Sequence, residues 1–266
     1  MRLTFIGLSS FIIENEAGYR ILIDPFNPSP QWTLGPDFPR EFRDAPFGAN
    51  IVLMSEPDAD HAYAPGGWLQ HAPSTSPDSN PFPGLNLRGT VVYEYNGDVN
   101  IAWHYTVDGY RLAHFGDNSH VLTADQLAEI GSPDIVFMAP PKADGSKLPA
   151  AVDIIRKNIA LLKPKMVIFT HHLAPNGLPA VEDTSSLRTF FQEYFSKYAS
   201  TNTGYKGAGS FMELCYCLEN AVVLGKEMRF AISTEPTIEI DKTMLADANS
   251  LPKAILFTSM LAKESF

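Results

Sequence analysis

The chain has 266 residues, of which 45% are hydrophobic and 19% charged, so it can bury a sizeable core and is not globally disordered. Its net charge of -10 argues against a surface that binds nucleic acid or an anionic membrane, since both need a basic patch. The net charge does not exclude anionic small-molecule substrates, because a bound cation can reverse the local electrostatic field.

The N-terminal residues enter a strand pattern directly, without the charged and apolar regions of a signal peptide. No apolar run approaches the roughly 18 residues of a membrane span. The two cysteines, Cys215 and Cys217, are too few for a disulfide framework and favour a reducing compartment. We therefore expect a cytoplasmic protein that forms one domain over residues 1–266. A monomer and a homo-oligomer are both consistent with the sequence.

The first quarter of the chain alternates short strands with turns. Strands are predicted at Leu3–Ile6, Phe11–Glu14 and Arg20–Ile23. The third strand ends at Asp24, whose carboxylate either caps the following loop or faces a site. Two long irregular segments, Phe26–Asn50 and Ala64–Leu85, predict functional loops that flank the mouth of a pocket.

The stretch Ile51–His61 joins a predicted strand to a cluster of side chains that can bind a metal. The apolar run Ile51–Met54 predicts a buried strand, and Pro57 marks a loop at its end. That loop carries Glu56, Asp58, Asp60 and His61. Taken alone, these residues fit equally well an acidic, solvated loop with a helix N-cap at Asp58 or Asp60.

Two further clusters of ligand-type residues follow strands. Strands are predicted at Thr90–Tyr95, Asn100–Val107 and Arg111–Phe115, with turns at residues 96–98 and 108–109 between them. The third strand ends in the sequence HFGDNSH, residues 114–120. Another strand, Met166–Phe169, ends in Thr170-His171-His172. His104 lies within its strand and is interpreted as a packing or surface histidine.

Helices alternate with strands in the second half. Helices are predicted at Thr123–Ile130, with a capping box of Thr123 and Gln126, at Pro149–Leu162 and at Leu187–Tyr198. Strands are predicted at Asp134–Ala139, Phe211–Leu218 and Phe230–Ser233, and the strand–helix–strand order indicates a βαβ unit. The strand at 211–218 would place Cys215 and Cys217 on one face as core residues.

The three clusters share one placement, because each follows a short hydrophobic strand. Strand ends at one edge of a layered α/β fold are where binding sites assemble. Imidazole together with carboxylate suits Zn, Fe or Mn. We therefore expect side chains of the three clusters, Glu56 to His61, His114 to His120 and His171-His172, to converge on a metal ion.

The order of these motifs resembles the metallo-β-lactamase-fold hydrolases, and within them the lactonase-like branch. The resemblance runs from Arg2 to His172 and rests on five short motifs. They are Phe5-Ile6-Gly7 with Ser9-Ser10-Phe11, Ile21–Pro25, Ser55–His61 in the place of the family's HxHxDH motif, His114–Asp117 and Val167–His171. It implies an α/β fold, a four-layer αββα sandwich of two mixed β-sheets flanked by helices.

Carried over residue by residue, the resemblance is partial. Asp60 and His61 keep the Asp-His of the motif, Asp117 falls on the bridging aspartate, and His171 falls on the last histidine ligand. Three family positions have lost their usual side chain. Glu56 and Asp58 stand where the family has histidine, and Leu8 stands where relatives often have histidine or glutamine. Glu94 is the nearest candidate, by order, for one further missing histidine.

The resemblance implies a metal-dependent hydrolase that acts on an ester, lactone or phosphoester bond of a small molecule through a water activated by the metal. The implied ligands are Glu56, Asp58, Asp60, His61, Asp117 and His171. One divalent transition-metal ion (Zn, Mn or Fe) would fill the half with two histidines, while the carboxylate-rich half would be weak or empty.

Candidate catalytic side chains follow from the same placement. Asp60 would orient or deprotonate the water, and His120, His172 or Lys142 would assist the leaving group. The alternative is a degenerate relative that kept the fold, lost catalysis and binds a metal or a small ligand.

Overall fold

The structure is a computed structural model that describes residues 1–26, 48–58, 60–62, 70–71, 84–199, 209–245 and 251–261. Its strands are β1 Arg2–Gly7, β2 Ser10–Glu14, β3 Arg20–Ile23, β4 Ile51–Leu53, β5 Gln70–His71, β6 Arg88–Tyr93, β7 Val99–Val107, β8 Tyr110–His114, β9 Ile135–Met138, β10 Met166–Phe169, β11 Arg229–Ser233, β12 Thr237–Glu239 and β13 Lys253–Phe257. Its α-helices are α1 Ala124–Ile130, α2 Leu148–Leu162, α3 Thr184–Ala199 and α4 Gly209–Gly225.

The strands form two mixed sheets. The first has the order β12-β1-β2-β3-β4-β5, antiparallel from β12 to β3 and parallel from β3 to β5. The second has the order β11-β13-β10-β9-β8-β7-β6, parallel except for the β8-β7-β6 meander. Buried residues of both sheets join in one hydrophobic cluster, with helices packed outside. This is the predicted αββα sandwich.

Local sequence signals account for most of the elements. The predicted capping box is present at the start of α1. The Thr123 side chain accepts a hydrogen bond from Gln126 N, and the Gln126 side chain accepts one from Thr123 N. Asp108 and Gly109 have φ values of 49° and 80°, as a tight turn between two twisted antiparallel strands requires. Strand and helix boundaries agree with prediction to within a few residues, as expected for frayed ends.

One predicted strand is wrong, because residues 211–218 belong to helix α4. The segment is apolar without a clear period, and a short apolar run does not distinguish a buried helix from a buried strand. Helix α4 packs against α2, α3, β11 and β13. Cys215 and Cys217 point about 200° apart on it. Both are nevertheless buried, so the prediction that they are core residues is confirmed.

The two long predicted loops lie largely outside the described residues. Within the second of them, β5 pairs in parallel with β4 where a loop was expected. The expected position of the loops at a pocket mouth therefore stays a prediction. No helix in the described parts of the chain is long and apolar enough to cross a membrane.

The sheets are joined at the edge where the three clusters lie. The main chain of Leu8, just after β1, exchanges hydrogen bonds with the segment just after β10. His171 N donates to Leu8 O, and Leu8 N donates to His172 O, both at 2.8 Å. The end of β1 in the first sheet and the end of β10 in the second therefore meet here.

Candidate metal centre

Four side chains from three strand ends converge at this edge. One ligating atom from each of Asp60, His61, Asp117 and His171 lies within 4.8 Å of the other three. His61 Nε2 is 3.5 Å from Asp117 Oδ1, and His171 Nε2 is 3.3 Å from Asp117 Oδ2. Asp60 Oδ2 is 3.4 Å from His171 Nε2. The structure thus brings together the side chains that the sequence placed in the histidine-containing half-site.

The orientation of His61 is fixed from behind by Asp24, at the end of β3. Asp24 Oδ2 lies 2.9 Å from His61 Nδ1, so an ionised Asp24 accepts the Nδ1 proton and leaves Nε2 facing the cluster. Asp24 also accepts from Ser55 N and Oγ at 2.7 and 2.8 Å, and from His114 Nε2 at 2.8 Å. The open question about Asp24 is answered by these contacts: it is a positioning residue for His61.

Charge also keeps Asp24 ionised. Burial alone would raise the pKa of this fully buried carboxyl group, but the charges and hydrogen bonds of His61 and His114 hold its pKa well below the usual range. An ionised Asp24 can accept hydrogen bonds at both oxygens and cannot donate. When His61 is neutral, as it must be to bind a metal, Asp24 therefore selects the tautomer that carries its proton on Nδ1.

Three buried polar atoms at the centre make no hydrogen bond within the described part of the chain: His61 Nε2, His171 Nε2 and Asp117 Oδ1. Buried polar atoms are normally paired, so a group of unpaired ones facing each other is informative. Two imidazole nitrogens and two carboxylates are a donor set that Zn, Fe and Mn accept. The residues present therefore fit a divalent transition-metal ion.

The titration behaviour of the cluster shows how much negative charge it concentrates. Burial would lower the pKa of His61, yet the charges of Asp117, Asp24 and Asp60 raise it to about 10. For His171, too, burial acts to lower the pKa, but mainly the charge of Asp117 raises it well above its usual value. The cluster is built to hold positive charge, which protons supply when no metal ion does.

His171 is held in an uncommon backbone conformation. Its φ of 58° lies in the left-handed region, which costs most non-glycine residues of the order of 1–3 kcal/mol. The main-chain bond from His171 N to Leu8 O holds it there and turns its ring against His61, with centroids 5.4 Å apart.

A second group, of carboxylates only, adjoins the first. Glu56, Glu94 and Asp117 offer oxygens within 4.8 Å of one another, and His61 Nε2 lies 3.1 Å from Glu56 Oε1. Burial, a hydrogen bond with Glu94 and the charge of Asp117 raise the pKa of Glu56 to about 9, against the opposing charge of His61. Glu56 therefore keeps its proton more readily than an ordinary carboxyl group does. The weak sequence candidate Glu94 is thus placed beside Glu56.

Lys142 supplies a fixed positive charge at the same place. It follows β9, and its ammonium group pairs with Asp117 Oδ2. Helix α4 holds the surrounding loop, since Asn220 Nδ2 donates to Pro141 O at 2.7 Å and to Ala143 O at 3.0 Å. Burial would lower the pKa of Lys142, but the charges of Asp117 and Asp60 raise it, so the group stays an ammonium.

Three predicted site residues are not brought to the cluster. The Asp58 side chain is exposed, and its main-chain carbonyl accepts from His61 N at 2.9 Å, which makes Asp58 a turn residue. His120 is exposed, with Nδ1 3.0 Å from Tyr93 O. His172 is fully buried, stacks on Phe5 and donates from Nε2 to a main-chain carbonyl. These contacts give no support to a ligand role for Asp58 or to catalytic roles for the two histidines.

A cavity of about 760 Å³ opens beside the centre, between the loop after β9 and helices α2 and α4. At its inner end it is lined by Glu94, Asp117 and Lys142. Its volume lies in the range of small-molecule binding sites. A small molecule bound in this cavity would therefore reach the metal centre from the side of Asp117 and Lys142.

A family model of the beta-lactamase superfamily domain matches residues 2–171, more than half of the chain. The chain belongs to the beta-lactamase superfamily. The matched range contains all four residues of the histidine-containing half-site, together with Glu56, Glu94 and Lys142. No curated protein matches this superfamily member.

Two solved structures have a fold similar to that of this chain. One is a Thermotoga maritima protein assigned to the Zn-dependent hydrolases of the metallo-beta-lactamase superfamily, with a TM-score of 0.53 and 17% identity, covering 96% of this chain and 98% of that one. The other is a Veillonella parvula protein assigned as a metal-dependent hydrolase, with a TM-score of 0.50 and 14% identity, covering 79% and 97% respectively. At these identities the likeness shows the fold.

Proposed function

We propose that this chain is a metal-dependent hydrolase that acts on an ester, lactone or phosphoester bond of a small molecule. The observation that carries the proposal is the group of buried, unpartnered atoms His61 Nε2, His171 Nε2 and Asp117 Oδ1. With Asp60 they would hold one Zn, Mn or Fe ion. The order of the motifs along the chain further supports a place in the lactonase-like branch, with a degenerate HxHxDH motif.

The chain's own residues have separable roles in this proposal. A bound divalent ion would acidify water and polarise the scissile group. The charges of His61 and of His171, whose Nε2 lies 3.4 Å from Asp60 Oδ2, lower the pKa of Asp60 to about 2 against the effect of burial. Asp60 is therefore an ionised acceptor that can orient a water proton. Lys142, between Asp117 and the cavity, can stabilise negative charge that develops on the substrate.

We propose further that the chain holds one ion, because the second half of the centre is poor in ligands. Glu56, Glu94 and Asp117 offer only oxygen, and such sites bind transition metals loosely. Lys142 already supplies a positive charge to Asp117. Elemental analysis should find about one Zn, Mn or Fe ion per chain. Changing Glu56→His and Glu94→His together should raise zinc content towards two ions. Two tightly held zinc ions in the wild-type protein would contradict the one-ion proposal.

The hydrolase proposal is tested with a panel of esters, lactones and phosphodiesters, assayed with added Zn²⁺ or Mn²⁺ and with a chelator. We expect hydrolysis that the chelator abolishes and the metal restores. His171→Ala should lose metal and activity together, whereas His104→Ala, which changes a histidine outside the centre, should keep both. Metal binding without turnover of any compound in the panel would favour the non-catalytic alternative.

A further inference from the structure

The cavity beside the metal centre differs in character along its length. Its inner end carries the charged groups of Glu94, Asp117 and Lys142, next to the proposed metal ligands. Its other walls combine apolar side chains, Ala151, Ile154 and Ile155 from α2 and Met212 from α4, with the charged groups of Asp144, Lys147 and Glu213. A ligand in this cavity would have its reacting group at the charged end and its body against aliphatic side chains.

We propose that this cavity is an acyl-binding pocket, so that the substrate is a carboxylic ester or lactone with an apolar acyl part. The inference rests on the proposed hydrolase function and narrows its substrate class. An aliphatic wall gains free energy from each methylene group that it removes from water.

The side chains that line the cavity lack the usual features of a phosphate site. Four carboxylates and two lysines line it, and arginine, the side chain suited to bidentate phosphate recognition, is not among the described lining residues. Of the two lysines, Lys142 is already paired with Asp117. Apart from the charge of the bound ion itself, these walls offer a phosphodiester no fork of donors, whereas an uncharged acyl chain can contact the aliphatic side chains.

The one aromatic hydroxyl on the α4 side of the cavity is also occupied. The Tyr216 side chain is hydrogen-bonded to Asp144, and the Arg188 guanidinium lies over its ring, 5.5 Å from the centroid. This hydroxyl is therefore already paired within the protein, as expected where the ligand body has no polar group to offer.

The proposed reaction is hydrolysis of the acyl–oxygen bond. The water oxygen forms a bond to the carbonyl carbon, and the bond from that carbon to the ester oxygen breaks. The alcohol leaves with one proton, and the carboxylic acid releases its own proton to the solvent. A lactone opens in the same way to one hydroxy acid. No oxidant or reductant is needed.

The test is the dependence of kcat/KM on acyl length, measured with metal-loaded protein and p-nitrophenyl esters from acetate to decanoate. Each added methylene that enters the pocket should raise kcat/KM by about fourfold, until the pocket is full. A p-nitrophenyl phosphodiester serves as the comparison and should be a poorer substrate than the best ester. A flat length dependence, or preference for the phosphodiester, would overturn the inference while leaving a metal-dependent hydrolase.

A pair of variants locates the effect. Ala151→Trp fills the cavity from the face of α2 that lines it, and should make kcat/KM nearly independent of acyl length. Ala160→Trp makes the same change about two and a half turns further along α2, on its opposite, exposed face, and should keep the rise. Equal length dependence in the two variants would place the acyl chain elsewhere.

Binding separates failure of this inference from failure of the hydrolase proposal. If no ester or phosphodiester is hydrolysed, N-methyl amides of the same chain lengths are titrated by calorimetry. Affinity that rises with length in the wild type and in Ala160→Trp, but not in Ala151→Trp, would support the acyl pocket and refute the catalytic proposal. Affinity that is independent of length would overturn the pocket.

Discussion

At the scale of single residues, the centre depends on a carboxylate that does not face the proposed metal. Asp24 accepts hydrogen bonds from Ser55, His61 and His114, which are 31, 37 and 90 positions away in the chain. A local pattern cannot reveal such contacts, because they arise only when two sheets pack. For the same reason the motifs named candidate ligands, but they could not show that the Asp58 side chain is exposed or that His114 supports the centre through its hydrogen bond to Asp24.

Asp24→Asn should weaken metal binding by about 10- to 100-fold, since the amide can no longer accept from all of its partners or fix the tautomer of His61. Competition with a chromophoric chelator measures the change. Asp134→Asn is the matched control, because Asp134 pairs with Lys165 and contacts none of the centre. Equal affinities in Asp24→Asn and the wild type would show that His61 needs no such support.

At the scale of elements, the sequence predicted best where the signal is local. The capping box of α1 and the turn at 108–109 need only neighbouring residues, and both are present. Helix α4 was missed because tertiary burial decided its structure: it is covered by α2, α3 and the second sheet, so its apolar residues show no single face. Without this helix the sequence could not reveal a contact that supports the centre, because Asn220 of α4 donates a hydrogen bond to the loop that carries Lys142.

The turn after β8 requires glycine at position 116. Gly116 has a φ of 50°, and a Cβ atom there would lie 2.4 Å from Ser55 Oγ. Gly116→Ala should therefore reduce the free energy of unfolding by about 2–5 kcal/mol, from the backbone conformation and the overlap together. Urea unfolding measures it.

Gly97→Ala is the control for that change. Gly97 also has a positive φ, of 89°, but a Cβ there meets nothing within 4 Å. It should lose only about 1–2 kcal/mol. A loss in Gly116→Ala no greater than in Gly97→Ala would mean that Ser55 can move aside without cost.

Strand β7 carries a histidine that should make stability depend on pH. Burial and the charge of Arg88 lower the pKa of His104 from 6.5 to about 4. Between these values the unfolded chain binds more protons than the folded one, so stability is complete above about pH 6.5 and falls as the pH drops towards 4.

His104→Gln should remove this contribution. Between pH 6 and pH 5 the free energy of unfolding of the wild type should fall by about 1 kcal/mol more than that of the variant. A fully buried histidine would give about 1.4 kcal/mol per pH unit, and the effect is smaller here because His104 is partly exposed. Urea unfolding at both pH values gives the difference. Parallel losses in the two proteins would show that His104 gains its proton in the folded state as easily as in the unfolded chain.

At the scale of the whole molecule, the centre joins the two sheets. Asp60 and His61 follow β4 of the first sheet, while Asp117 and His171 follow β8 and β10 of the second. An ion bound by all four would therefore add a further connection between sheets that are already joined by apolar packing, by the bridge of Leu8 with His172 and by the hydrogen bond from His114 to Asp24. Without an ion, their carboxylates are balanced by protons on the imidazoles and by Lys142.

Metal removal should accordingly lower global stability and not only activity. A ligand that binds the folded state at a free concentration 100 times its Kd stabilises it by about 2.7 kcal/mol. We expect the free energy of unfolding to fall by a similar amount on chelation and to return as Zn²⁺ or Mn²⁺ is added, in proportion to the logarithm of its concentration. His171→Ala should not respond to metal, whereas His104→Gln should respond as the wild type does. A chelator that strips the metal and yet leaves unfolding unchanged would mean that the unfolded chain binds the ion as tightly as the folded protein does.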